Sequence, residues 1–223
     1  MRALPLPVTL AARLLPVAVL ACAGWAWSTG PMSDTADKDQ KKAAPQESAS
    51  HGPSESVAAK TYAKPPAPCG TVGSKTVTSL VPGAKAAGKE LSATDESVRR
   101  GCSWSALKGY DYRWLDVSFE VKNSDALAKQ AFASGGGKDG AAKDIGDEAR
   151  LTTDLTTKDK QDTREAVVTV RSANVLVTVT YNGSDFESKS APSADTIGKG
   201  ALQAAHDAVA ALDAAGKDSA KDS

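Results

Sequence analysis

Ala166-Val167-Val168-Thr169-Val170-Arg171, then Ser172-Ala173-Asn174, then Val175-Leu176-Val177-Thr178-Val179-Thr180-Tyr181, is the stretch on which the fold turns. Two runs rich in β-branched residues flank a short polar separator, so they pair as an antiparallel hairpin. Upstream, Leu115, Val117, Phe119 and Val121 alternate with Asp116, Ser118 and Glu120. That period of two marks a strand with one buried face. Downstream, Ile197, Ala201, Ala205, Ala208 and Leu212 recur at intervals of three and four, an apolar stripe along a final helix. Its small side chains permit close approach to a sheet. Between these segments, Asn123-Ser124-Asp125 can cap a helix over residues 126–133, and Gly135-Gly136-Gly137 would stop it. The expected fold is α+β: an antiparallel sheet of four to six strands with helices packed on one face.

Working outward, the chain divides by composition. Nearly all the periodic apolar sequence lies in residues 68–215 of the 223, enough for one core that buries about two thirds of the unfolded surface. Lys217 onward is charged and is expected to be a frayed tail over 216–223. Residues 34–67 are rich in Ser, Ala, Pro, Lys, Asp and Glu, with Val57 and Tyr62 the large apolar side chains. Such a segment cannot offset the entropy of ordering, so a disordered linker is expected, with an r.m.s. span of about 30 to 35 Å. Lys plus Arg and Asp plus Glu both total 27, so no overall field draws in nucleic acid, and none is expected as a partner.

Residues 1–33 read as an export segment. Arg2 and Arg13 are the charges before Asp34, and residues 14–27 are almost wholly apolar. Val19-Leu20-Ala21-Cys22 forms a lipobox, in which Cys22 would carry the acyl chains that hold the protein at the membrane. The alternative is an uncleaved signal anchor over residues 14–33, just long enough to cross a hydrocarbon core of roughly 30 Å, with Trp25 and Trp27 at the outer interface. Cleavage and secretion is a third outcome. Each places the remaining chain outside the cytoplasm, and the first two hold it by its N-terminus at the outer face of the cytoplasmic membrane.

Two cysteines remain, Cys69 and Cys102. An even pair within one small domain in an oxidising compartment most simply forms a disulfide. Pro68-Cys69 opening a short helix, Gly101-Cys102-Ser103-Trp104 entering a strand, Gly146-Asp147-Glu148-Ala149, and the Val-rich hairpin with Arg171 to Asn174 at its turn occur in that order. The ordered set resembles actinobacterial envelope lipoproteins known as domain of unknown function 3558, over residues 68–212. The resemblance implies export, the disulfide and an α+β fold, and it implies no catalytic residues, because that family has no established activity. The apolar residues 24–27 and the glycine-rich insertion near Gly135 depart from the family pattern.

Candidate chemistry is sparse. Ser105-Ala106-Leu107-Lys108 and Ser172-Ala173-Asn174 match two of the three elements of a penicillin-binding serine enzyme, but no Lys-Thr-Gly or Lys-Ser-Gly follows. His206 is the one histidine of the domain and lies between Ala205 and Asp207 on the final helix, without a nucleophile elbow elsewhere. Residues 144–148, Asp-Ile-Gly-Asp-Glu, supply only part of a calcium loop and read as a tight turn. Gly73-Ser74-Lys75-Thr76 has its lysine misplaced for a phosphate loop. Neither a metal site nor a cofactor is expected. More informative are Trp104, Tyr110, Tyr112 and Trp114, on two strand-like segments, which either pack in the core or form a binding face. The leading expectation is a non-enzymatic envelope module that binds a protein partner or small ligand. The alternatives are an enzyme of unrecognised type acting on wall or lipid substrates, or an accessory subunit of a membrane complex.

Overall fold

The computed structural model describes residues 60–136, 140, 142 and 144–221. The expected export segment with Cys22, residues 34–59 of the expected linker and most of the glycine-rich insertion lie outside the described residues. A 3₁₀ turn, Pro68–Gly70, precedes helix α1 (Ser74–Leu80) and strands β1 (Lys89–Leu91), β2 (Arg99–Lys108) and β3 (Asp111–Val121). Helix α2 (Asp125–Ser134), strands β4 (Glu148–Lys158), β5 (Gln161–Ser172) and β6 (Val175–Asp185), and helix α3 (Ala194–Lys221) follow. The class is α+β, with six antiparallel strands in the order β1-β2-β3-β6-β5-β4.

Alternation dictates the sheet's two faces. Leu115, Val117 and Phe119 of β3, Val168 and Val170 of β5, and Val175, Val177 and Val179 of β6 are fully buried on one side. The helical stripe of Ile197, Ala201, Ala205, Ala208 and Leu212 closes over them. Burial of this kind contributes about 25 cal/mol per Å² of apolar surface. Tyr181 joins this layer, its hydroxyl donating to the Leu80 carbonyl at 2.7 Å. That bond fastens α1 onto the sheet, and burial holds the Tyr181 phenol above its ordinary pKa.

Loop chemistry agrees with the strand pairing. Lys108 pairs with Asp111, leaving Gly109 and Tyr110 as a two-residue turn whose first residue has φ +62, a conformation glycine adopts freely. Ser172 itself pairs with Val175, so the β5–β6 loop is only Ala173 and Asn174. The Asp147 carboxylate accepts from the Ala173 N–H and from Arg171, whose guanidinium also donates to Glu148. Two of the sequence motifs thus meet at one turn. The α2 cap is as expected, the Ser124 hydroxyl accepting from the Leu127 N–H.

Cys69 and Cys102 form the disulfide, with Cα atoms 5.0 Å apart. It joins the 3₁₀ turn to the buried side of β2. Gly88 lies against it at φ +61, where a Cβ would stand 2.6 Å from both Cys102 Sγ and Trp104 Nε1.

Three expectations are corrected. The helices do not all share one face: α1 and α3 do, while α2 lies on the other. Arg150, between the core-side residues Ala149 and Leu151, points the opposite way, donates to the Phe132 carbonyl and stacks 4.5 Å from that ring's centre. The linker boundary at residue 67 is too late. The Tyr62 N–H donates to Asn174 Oδ1, Asn174 Nδ2 donates back to the Tyr62 carbonyl, and the Tyr62 hydroxyl donates to Asp213. Pairing of its backbone to one buried amide holds Tyr62 where composition offered no signal. Finally, α3 continues to Lys221, past the expected end at 215, since Gly216 is no obligatory stop in an otherwise Ala- and Lys-rich helix.

Candidate functional site

Register separates the four aromatic residues. Trp104 sits opposite Leu115, so it points to the core; it is 2% exposed and its indole N–H donates to the Ala86 carbonyl at 3.0 Å. Its assignment to a binding face is corrected. Trp114 sits opposite Ser105 and Tyr112 opposite Leu107, and both point to the face away from α3. Tyr110 stands at the β2–β3 turn.

Two residues that sequence reasoning missed complete the group. Leu107 is brought beside Tyr112 by the hairpin register, and Phe186, just past β6, donates its N–H to the Tyr110 carbonyl. The Tyr112 and Phe186 rings lie 6.1 Å apart, tilted by 35°. Leu107 is 58% exposed, Tyr110 57%, Phe186 47% and Trp114 40%. The alternation of residues 105–107 held the signal for Leu107, once paired with β3; nothing local marked Phe186.

The Trp114 ring is fixed by its own face. Its indole N–H lies 2.8 Å from Ser103 Oγ and 2.7 Å from Asp116 Oδ1. With the N–H occupied, the ring offers a partner mainly its π surface. At the same end, Arg113 donates to the Tyr112 and Ser184 carbonyls and pairs with Asp111. The Asp185 carboxylate accepts from the N–H and hydroxyl of Ser188, which hold its pKa below the ordinary range. These contacts shape a firm, shallow surface.

Two clefts lie elsewhere on this face. One of about 420 Å³ is bounded by Leu91, the loop through Asp95 and Val98, and floored by Gly101 and Ser118. The other, about 490 Å³, runs between Val98 and Glu120 on one side and Leu127, Gln130 and Ser134 of α2 on the other. Both are open to solvent, and neither includes a nucleophile with an adjacent base.

The remaining candidates take structural places. Ser105 and Lys108 are exposed on β2, and His206 is exposed on α3. Asn174 is fully buried and bonded to Tyr62 and Lys122. The Gly73 N–H at the start of α1 donates to the Asp207 carboxylate at 3.0 Å, which fills the place an anion would need. Residues 144–147 form a turn, Asp144 and Gly146 both having positive φ. Among the described residues no three His, Cys, Asp or Glu side chains are grouped to hold a metal ion. No helix among them is long and apolar enough to cross a membrane.

No protein-family model matches the chain. No match is found among curated proteins either. One solved structure, a crystal structure from Bacteroides thetaiotaomicron, is similar at 8% identity with a TM-score of 0.23, over 43% of this chain and 41% of that one. Likeness at that level carries no argument about fold or activity.

Proposed function

We propose that this protein is a non-enzymatic binding module of the cell envelope, held by its N-terminus at the outer face of the cytoplasmic membrane. The observation that carries the binding role is the aromatic end of the sheet: Leu107, Tyr110, Trp114 and Phe186 are exposed, half-buried Tyr112 lies against Phe186, and no described residue covers the group. Large aromatic side chains left in water cost solvation unless a partner covers them, and such clusters mark interaction sites. The lipobox at Cys22, the uncharged residues 14–33 as the alternative anchor, and the Cys69–Cys102 disulfide support the compartment. The ordered motifs shared with domain of unknown function 3558 support the same reading.

In-cell crosslinking from a photoreactive residue at position 110 tests it. Neighbours captured by the parent chain should vanish when Tyr112→Ala and Trp114→Ala are combined. Retention of every neighbour by that double variant, shown to be folded, removes the aromatic face from the proposal. Intact mass of membrane-extracted protein tests the anchor, since acylation at Cys22 and retention of Met1 give different masses.

A further inference from the structure

We propose that the open half of the β4 edge pairs with the same edge of a second copy of this chain, forming a closed antiparallel dimer. This goes beyond the proposed function and uses a different surface from the aromatic end.

The first argument is backbone geometry. β4 lies at the end of the sheet and pairs with β5 along one side. On its other side the Ala149 carbonyl accepts from the Ala142 N–H, and the Leu151 N–H donates to the Gly140 carbonyl. Backbone groups alternate in direction along a strand, so those of Leu155 and Thr157 point the same way as those of Ala149 and Leu151. No described residue bonds them. An open edge of this kind is a template for another strand.

Charge selects the occupant. Asp154-Leu155-Thr156-Thr157-Lys158 is its own antiparallel complement. With a two-fold axis at Thr156, Asp154 of each copy meets Lys158 of the other, and each Leu155 exchanges backbone hydrogen bonds with a Thr157. An axis at Leu155 sets both charges against threonines, one at Asp154 sets carboxylate on carboxylate, and one at Thr157 runs the ladder into the β4–β5 turn. Within one copy, Asp154 stands directly opposite Glu165 on the face away from α3, and neither carboxylate forms an ion pair with a described residue. Like charges so placed destabilise a sheet. Lys158 of the second copy puts a cation on the far side of Asp154.

The remaining charges at this end leave that register unopposed. Lys158, Lys160 and Arg164 stand with Asp154, Asp159, Asp162 and Glu165, so each copy brings three cations and four carboxylates. Attraction therefore comes from the placement of Asp154 and Lys158, not from net charge. On the α3 side, Asp162 already accepts from the Thr157 hydroxyl and Arg164 donates to the Pro192 carbonyl. There Leu155, exposed in one copy, comes diagonally beside Leu155 of the other, within reach of a long side chain. So short a contact belongs to the weak, transient class of interfaces.

The test is sedimentation of the full chain in detergent from micromolar to millimolar concentration, with amide exchange followed on the isotope-labelled protein. The expected result is a monomer–dimer equilibrium in which the Leu155 and Thr157 amides gain protection with concentration. The Thr156 amide, which faces β5, should be protected throughout and serves as the folding control. Lys158→Asp and Asp154→Lys should each weaken the dimer tenfold or more, whereas a mixture of the two variant chains, each supplying the charge the other lacks, should recover parent affinity to within about threefold. A chain that stays monomeric at millimolar concentration overturns the proposal. So does association that leaves the Leu155 and Thr157 amides exchanging freely, since the contact would then lie elsewhere. Protection of those amides at every concentration also overturns it, because the chain would then cover its own edge. Single variants that associate like the parent, or a mixture that does not recover, remove the register and the proposal with it.

Discussion

Reducing the Cys69–Cys102 disulfide removes a cross-link while leaving both sulfur atoms in place, so the packed volume beside Trp104 changes little. The bond closes a loop of sequence separation 33. In the chain-entropy model that loop restricts the unfolded ensemble by about 3 to 4 kcal/mol. For a domain of this size each kcal/mol moves the midpoint by about 2 to 4 °C, so reduction should lower Tm by about 6 to 16 °C. Far-ultraviolet circular dichroism melts with and without a phosphine reductant measure it, with Cys69→Ala as the covalent equivalent. Urea titration supplies an independent check: the uncross-linked chain exposes more surface when unfolded, so its m-value should rise. A Tm shift under about 3 °C with an unchanged m-value would refute the reasoning, because the 3₁₀ turn and β2 would then be held together equally well without the bond.

The two tryptophans should part company under truncation. Trp104→Ala empties a core position and should cost about 3 to 5 kcal/mol, whereas Trp114→Ala should cost under about 1 kcal/mol, both read by urea unfolding. Gly88→Ala forces a Cβ into the disulfide and Trp104 at positive φ, and should destabilise by about 1 to 3 kcal/mol in the same assay. Asn174→Ala strips partners from the Tyr62 backbone and the Lys122 carbonyl, a loss of about 1 to 3 kcal/mol. Hydrogen exchange should rise at Tyr62 in that variant while the β3–β6 amides stay protected. Burial raises the Tyr62 phenol's pKa, so its contribution is complete below the unfolded value near 10.0 and is lost as pH rises through the folded one. Tyr62→Phe should reduce the alkaline sensitivity of Tm and leave its neutral-pH behaviour nearly intact.

Legibility in the sequence followed the strength of local patterns. β3, the β5–β6 hairpin and α3 were readable because large or branched apolar residues repeat at the period of the element. β4 was not: Glu148-Ala149-Arg150-Leu151-Thr152-Thr153-Asp154 has little aliphatic alternation, and as an edge strand it buries chiefly Ala149 and part of Leu151. The face of a residue on β2 depends on its pairing with β3, a nonlocal fact, and so the side of Trp104 was hidden until the register set it opposite Leu115, whereas alternation along β3 alone puts Trp114 on the face away from Leu115 and Val117. Tyr62 was hidden for a related reason. Its partners Asn174 and Asp213 lie 112 and 151 residues away, in a segment whose neighbours carry no hydrophobic pattern. The disulfide was readable because two cysteines in one small domain leave few choices.

That cross-link also sets how the domain bears tension. A pull applied through the N-terminus, such as drag on a domain held at a surface, passes the Tyr62 latch and reaches Cys69, where it is handed directly to Cys102 in β2. The 32 residues between them, α1 and β1 included, drop out of the load path. Stretched singly, the oxidised chain should hide about 110 Å of contour length that reduction would release.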